Sequence, residues 1–161
     1  MALRRTSGDD DLAFLSELAR DPAIAPFLAP NRSEPAPLRE LAAAERPYGL
    51  YVIEAEGGRA GGFALTAASS TSPTCEISRV MISPDLHGAG IGTQAVREAC
   101  RLALLEHGLH RIEAQVYGHN VAGQRLFERA GFTREGARRC AYWRHEQWLD
   151  GVYYGLLAEE L

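Results

Sequence analysis

The chain has 161 residues, of which 46% are hydrophobic and 24% charged, and its net charge is −4 at pH 7. This length and composition predict one globular domain over residues 1–161. The acidic balance argues against a nucleic-acid partner, because duplex binding needs a clustered basic face. No run approaches the roughly 20 apolar residues of a membrane span, so we predict no membrane partner.

The first third of the chain predicts one strand and two helices separated by prolines. Residues 1–6 suit a short strand, and residues 11–20 carry leucines at helical spacing after a run of capping residues. Five prolines between positions 21 and 37 leave room only for short helical pieces. That segment is either a plain connector or a wall of a substrate cleft. A second short helix is expected over residues 38–46.

Three strands are predicted next, over residues 48–56, 60–68 and 74–82. The first and third are rich in β-branched or aromatic residues, and short turns containing Gly, Ser and Pro separate the three. Strands joined in this way form an antiparallel meander.

The second half of the chain predicts alternating helices and strands. The expected elements are a long helix over residues 90–107, a strand over 111–117, a helix over 121–130, and strands over 132–143 and 147–157. Gly108 and Gly131 suit the ends of the two helices, and Asn120 suits the N-cap of the second. A strand, a long helix and another strand form a parallel crossover. The whole pattern predicts a mixed α/β, or α+β, domain with one sheet of six to seven strands, mostly antiparallel, and about four helices.

The chain has three cysteines, Cys75, Cys100 and Cys140. Their number is odd and they form no Cys-x-x-Cys pair, which predicts reduced thiols in a cytoplasmic protein. The N-terminus shows no signal-peptide pattern. Among five histidines only His107 and His110 are closely spaced, and Gly108 is expected to end the helix between them. We therefore predict no metal site.

A glycine-rich loop, HGAGIGT at positions 87–93, follows the third strand of the meander and opens the long helix. A strand, a glycine loop and a helix present backbone N–H groups to a phosphate at the helix N-terminus. The alternative interpretation is a glycine-rich turn that binds nothing.

Two nucleotide-binding motifs fail at this loop. A dinucleotide-binding loop requires Gly-x-Gly-x-x-Gly, but counting from Gly88 places Thr93 where the third glycine belongs. Its acidic residue would be Glu113, which lies inside a predicted strand. A phosphate-binding Walker loop requires Gly-Lys-Ser/Thr, and no lysine is near. A dinucleotide-dependent oxidoreductase is therefore excluded.

The loop instead resembles the acyl-CoA loop of the GNAT N-acetyltransferase superfamily, Gln/Arg-x-x-Gly-x-Gly/Ala, with His87, Gly90 and Gly92 at the three defined positions. NVAGQRLFERAGF at 120–132 resembles the family's Asn-x-x-Ala-x-x-Leu-Tyr-x-x-x-Gly-Phe segment. WLDGVYYGLLAEEL at 148–161 resembles the C-terminal hairpin of the subgroup that includes the RimJ/RimL-type protein N-terminal acetyltransferases. Together these motifs cover about residues 75–161.

The resemblance implies acetyl transfer from acetyl-CoA to a primary amine, with no metal. It implies acetyl-CoA contacts at Val80, Met81, Ile82, His87, Gly88, Ala89, Gly90, Ile91, Gly92, Thr93, Asn120 and Phe127. The amine must be neutral to attack, so a base is required near pH 7. Glu76 matches the catalytic glutamate of some members, and strand alternation separates its side chain from those of Cys75 and Ile77. Glu113 is the weaker candidate, and Gln115, where some members carry a glutamate base, cannot accept a proton.

Two positions depart from the family pattern. His87 replaces the usual Gln or Arg and is a cation only when protonated. Phe127 stands where many members carry the tyrosine that protonates the departing CoA thiolate. Tyr117 and Ser83 are candidate substitutes, although each also has a purely structural interpretation.

Two hypotheses therefore stay open. The first is an N-acetyltransferase whose acceptor is a small-molecule amine (a polyamine, amino acid or antibiotic) or a protein N-terminus. Its acceptor wall is expected to include Phe27, Leu28, Tyr142, Trp143 and Glu146. The second, motivated by the missing tyrosine, is a non-catalytic acyl-CoA-binding or sensing module. Either a monomer or a homodimer is compatible with the sequence.

Overall fold

The computed structural model of the protein describes residues 1–29 and 35–161, which form a seven-stranded sheet and four α-helices. The strands are β1 (Ala2–Arg5), β2 (Gly49–Ala55), β3 (Gly58–Ala67), β4 (Thr74–Ile82), β5 (Arg111–Tyr117), β6 (Thr133–Arg144) and β7 (Gln147–Leu157). The helices are α1 (Asp9–Leu18), α2 (Pro35–Ala43), α3 (Ile91–Cys100) and α4 (Val121–Ala130).

The strands lie in the order β1-β2-β3-β4-β5-β7-β6. Neighbouring strands in this described sheet are antiparallel, except that β4 and β5 are parallel. The predicted α+β fold class, the antiparallel meander and the parallel pair around the long helix are thereby confirmed.

Two apolar clusters bury the two faces of the sheet. One contains buried side chains of α3 and α4 together with Cys75 and Ile77 of β4. The other contains Leu15 of α1 and Leu38 of α2, packed against alternate residues of β2 and against Met81 of β4. The helices α1 and α2 therefore cover one face of the sheet, and α3 and α4 cover the other.

A β-bulge in β4 explains why Met81 lies on the opposite face from Ile77. In a regular strand, residues an even number apart share a face. The register with β3 shifts between the pairs Ala64–Ser78 and Gly62–Met81, so β4 contains one extra residue there. Arg79, inside the bulge, has φ of 53°. The bulge reverses the alternation for the last residues of β4.

The bulge adjoins a split in the sheet. Pairing between β4 and β5 covers only Thr74–Glu76 and Arg111–Glu113 among the described residues. Beyond Glu76, β4 pairs with β3 on both sides of the bulge but, within the described residues, not with β5. A gap therefore opens between these two strands in the middle of the sheet.

Several element bounds differ from the sequence-based expectation. Helix α1 begins at Asp9 because three consecutive aspartates occupy its first turn, where negative charge is favourable. Helix α2 begins at Pro35, since proline is tolerated in a first helical turn. The long helix is α-helical to Cys100 and π-helical over Arg101–Glu106. Part of the proline-rich stretch, residues 30–34, lies outside the described residues.

A buried ion pair fixes the start of α1 to β1. The side chain of Asp11 is 4% exposed, and Arg4 contacts both of its carboxylate oxygens, one of them at 2.9 Å. The backbone N–H of Ser7 also donates to this carboxylate, at 2.8 Å. The hydrogen bonds from Arg4 hold the pKa of Asp11 well below its usual range.

The cysteines are free thiols, two of them buried and Cys140 exposed. Burial raises the pKa of both Cys75 and Cys100 to about 12. None of the described helices has the length and apolar character needed to cross a membrane.

Candidate active site

The glycine loop adopts the backbone that its sequence predicts. Gly88 and Gly90 have φ of 82° and 79°, in the left-handed region that favours glycine. Gly90 is the N-cap of α3 and supplies no side-chain cap. Because the first N–H groups of a helix lack intrahelical partners, this exposed end can donate hydrogen bonds to an anion.

His87 joins the loop to the end of β4. Its ring atom Nε2 lies 2.8 Å from the carbonyl oxygen of Ile82, which accepts a hydrogen bond from it. The contact couples the loop to one of the three β4 residues with predicted cofactor contacts.

A cavity of about 100 Å³ lies where β4 and β5 separate. It is lined by Phe27, Leu28, Ala29, Glu76, Ser78, Arg79, Gln115 and Tyr117. Side chains from both sides of the split thus meet the segment that follows α1. Phe27 and Leu28, from the proline-rich region, form part of the lining.

Glu76 is the acidic side chain among the residues that line this cavity. It is partly buried, while its neighbours Cys75 and Ile77 are fully buried on the other face, as strand alternation predicts. Glu113 lies opposite Glu76 across the parallel strand pair, but it is 3.6 Å from the guanidinium of Arg111. Glu113 therefore takes part in an ion pair beside the cavity and does not line it.

An aromatic row borders the cavity. The rings of Phe27 and His119 are 5.4 Å apart, those of His119 and Tyr117 5.9 Å, and those of Tyr117 and Tyr142 5.5 Å. Sequence reasoning did not identify His119, because nothing in its local pattern shows that the β5–α4 turn meets the segment after α1.

Tyr142 reaches the site from the C-terminal hairpin. Its hydroxyl donates to Oε1 of Gln115 at 2.9 Å and lies 3.1 Å from the hydroxyl of Tyr153. Burial and the contact with Tyr153 raise the pKa of Tyr142, so this phenol stays protonated at neutral pH. Trp143, predicted beside it, instead packs on Trp148 with ring centroids 5.4 Å apart. None of the three predicted wall residues of the hairpin, Tyr142, Trp143 and Glu146, lines the cavity, although Tyr142 bonds to Gln115, which does.

The helix α4 places two predicted residues differently. Asn120 is its N-cap, and its side-chain oxygen accepts a hydrogen bond from the N–H of Gly123 at 2.8 Å. Phe127 is 5% exposed and packs edge-on against Phe132 and on Tyr154. Phe127 is thus part of the apolar core, and its side chain has no hydroxyl that could donate a proton.

Three cavity residues, Ala29, Ser78 and Arg79, were not predicted individually from the sequence. Ser78 is two residues from Glu76 and shares its face, so alternation along β4 was a usable signal. Arg79 lies inside the bulge, which no sequence pattern indicated. Within residues 1–29 and 35–161, no three His, Cys, Asp or Glu side chains are grouped as metal ligands.

Comparison with known proteins agrees with this geometry. Residues 1–133 match the acetyltransferase (GNAT) domain family. The chain is 47% identical over 71 residues to YjcK of Bacillus subtilis (strain 168), named a probable N-acetyltransferase. That match covers 44% of this chain and 39% of YjcK, less than half of either protein.

Solved structures share the fold along nearly the whole chain. A variant of the spermidine N-acetyltransferase SpeG from Vibrio cholerae has a TM-score of 0.82 at 20% identity, covering 99% of this chain and 96% of that one. The Salmonella typhimurium protein yncA, solved with its cofactor acetyl-CoA, has a TM-score of 0.81 at 21% identity, covering 98% and 94%. Such identities show a common fold. With the family match over most of its length, the chain belongs to the GNAT acetyltransferase family.

Proposed function

We propose that this protein transfers an acetyl group from acetyl-CoA to the nitrogen of a small primary amine. The observation that carries the proposal is the split between β4 and β5, beside which Glu76 lines a cavity; the glycine loop and the start of α3 follow the other end of β4 along the chain. A donor held along one side of the split and an amine entering from the other meet at the carboxylate of Glu76.

The residues present suit acetyl-CoA. The left-handed glycines and the uncapped first turn of α3 provide N–H donors for a pyrophosphate, from Gly88 to Thr93. Beyond the bulge, Val80, Met81 and Ile82 turn one backbone edge toward the split and can hold the thioester arm. When bound, acetyl-CoA would supply an activated acyl group. Asn120 and Phe127 stay proposed contacts of the same group.

Glu76 acts as the base in this proposal. An alkylammonium ion has a pKa near 10 and cannot attack while protonated. A carboxylate in the cavity attracts the ammonium ion and accepts its proton, directly or through one water. Gln115 and Ser78 line the same cavity and can orient the amine by hydrogen bonds.

The cavity favours a small acceptor with an apolar portion. Its volume of about 100 Å³ admits an amino group and a few carbon atoms, and Phe27 and Leu28 form its apolar wall. Spermidine, the substrate in the name of SpeG, belongs to this class. A protein N-terminus, the acceptor of RimJ/RimL-type enzymes, is the second acceptor class. A cytoplasmic location and a monomeric or homodimeric state belong to the same proposal.

The test is release of free thiol from acetyl-CoA in the presence of spermidine, amino acids, aromatic amines or short peptides. We expect turnover with at least one small amine. Glu76→Gln should lower kcat about 10²- to 10⁴-fold at neutral pH, the usual size of a general-base effect. Glu113→Gln is the matched control: it removes a carboxylate from the same face and should keep most of the activity.

Equal activity of Glu76→Gln and the parent protein across the pH range would refute the role of Glu76. Binding of CoA without thiol release from any acceptor would favour the non-catalytic acyl-CoA module. Failure to bind CoA at all would reject both hypotheses.

A further inference from the structure

The departing thiolate needs a proton source that Phe127 cannot provide. Resting on the proposed acetyl transfer, we infer that the hydroxyl of Tyr117 is the general acid that protonates the CoA sulfur. Three observations support this inference: the position of the Tyr117 ring, the hydrogen bond that its hydroxyl accepts, and the hydrogen bonds that already occupy a neighbouring hydroxyl.

Tyr117 is fixed where the two reacting groups are proposed to meet. It is the last residue of β5 and lines the cavity together with Glu76 across the split. The residue is 7% exposed, and its ring lies between those of His119 and Tyr142. Since aromatic neighbours hold it on two sides, the ring presents its hydroxyl without a large loss of side-chain freedom.

The hydroxyl of Tyr117 has a cationic donor and a proton left to give. Nε of Arg144 donates a hydrogen bond to its oxygen at 3.1 Å, and the guanidinium lies 6.0 Å from the ring centroid. Guanidinium donates only, so the proton of Tyr117 must point elsewhere. In the part of the chain that the structure describes, no protein atom accepts it. A charged donor also stabilises the negative charge that grows on the oxygen during proton transfer.

The other hydroxyls near the cavity are less suited to this role. Tyr142 donates its proton to Gln115 and contacts Tyr153. Ser78 lines the cavity, but an aliphatic hydroxyl is a much weaker acid than a phenol. Ser83, a candidate from the sequence, is not among the residues that line the cavity.

The proton balance of the reaction closes with these groups. The amine nitrogen, after giving its first proton to Glu76, forms a bond to the thioester carbonyl carbon and loses its second proton to water as the adduct collapses. As the carbon–sulfur bond breaks, Tyr117 Oη transfers its proton to the sulfur, which leaves as a thiol. The tyrosinate beside Arg144 takes a proton from water, and Glu76 releases its proton to solvent. The net reaction converts an ammonium ion and a thioester into an amide, a thiol and one proton.

The test compares Tyr117→Phe with Tyr48→Phe, which removes a hydroxyl from a residue outside the cavity. Tyr117→Phe should lower kcat about 10²-fold, whereas the control should match the parent protein. A second readout needs no turnover: the ultraviolet absorbance of the thiolate is followed while the complex with CoA is titrated. Losing a donor to the sulfur should raise the pH midpoint of CoA ionisation by about one unit in Tyr117→Phe.

A kcat of Tyr117→Phe equal to that of the parent protein would overturn the inference. A lowered kcat with an unshifted CoA titration would also overturn it, because that pattern indicates a merely structural role for the hydroxyl. If Tyr117→Phe does not fold, Arg144→Gln keeps the hydroxyl and removes its cation. It should then lower kcat and shift the CoA titration in the same direction, and an unchanged titration would overturn the inference. A parent protein that binds CoA without turnover would refute the proposed function, while the titration would still decide whether Tyr117 contacts the sulfur.

Discussion

Gly61 tests the link between the sheet and the proposed cofactor strand. A Cβ atom at this position would lie 2.0 Å from the carbonyl oxygen of Met81, where distances below 3.0 Å are essentially never found. The obstacle is backbone, so β4 must move by about 1 Å next to its bulge. Such overpacking costs about 3 kcal/mol of unfolding free energy, and the displaced strand is the one with the proposed contacts to acetyl-CoA.

Gly58 supplies the matched control, because it lies in the same strand and a Cβ there would meet nothing within 4 Å. Urea denaturation should show Gly61→Ala destabilised by about 3 kcal/mol, while Gly58→Ala stays within about 1 kcal/mol of the parent or is slightly more stable. In the absence of urea, isothermal titration calorimetry should also show that Gly61→Ala binds CoA more weakly than the parent protein does. Equal stabilities of the two variants would refute the steric argument, and unchanged CoA affinity in a destabilised Gly61→Ala would separate β4 from the cofactor site.

Two further predictions concern stability and thiol reactivity. Asp11→Asn should lower the free energy of unfolding by about 2 kcal/mol at pH 7. This is below the usual cost of breaking a buried ion pair, because the side chain of Arg4 is 35% exposed. Asp9→Asn is the control in the same helical turn: its side chain is 84% exposed, so it should lower the free energy of unfolding by less than about 0.5 kcal/mol. Since folding lowers the pKa of Asp11, this carboxylate stabilises the folded state fully above its unfolded pKa of about 4, and the stabilisation is lost as the pH falls further. A difference in unfolding free energy between the parent and Asp11→Asn that stays constant down to pH 2 in urea titrations would contradict this. A thiol reagent at pH 8 should label Cys140 in the native protein and all three cysteines after unfolding. Burial keeps Cys75 and Cys100 protonated and therefore unreactive in the native protein. Rapid labelling of three thiols in the native protein would show that these two cysteines are accessible.

Local patterns in the sequence determined most of the elements. The bounds of β4, β5, β7 and α4 agree with the expectation, because strand alternation and the glycine and asparagine caps act within a few residues. The same local logic placed the glycine loop at the start of α3 and separated Glu76 from its buried neighbours. The resemblance to the GNAT superfamily is confirmed by the domain match over residues 1–133, which does not show the RimJ/RimL-type subgroup.

Only the tertiary structure decided how the site is assembled. The bulge at Arg79 and the early end of β4–β5 pairing depend on three strands meeting, and neither leaves a periodic signal in the sequence. The hydrogen bond between Tyr117 and Arg144 joins residues 27 positions apart, and the Phe27–His119 contact joins residues much farther apart. Such contacts arise from packing between distant elements, which a residue's neighbours along the chain do not encode. The sequence by itself therefore determined the glycine loop and the position of Glu76 in β4, whereas folding decided which side chains line the cavity with Glu76.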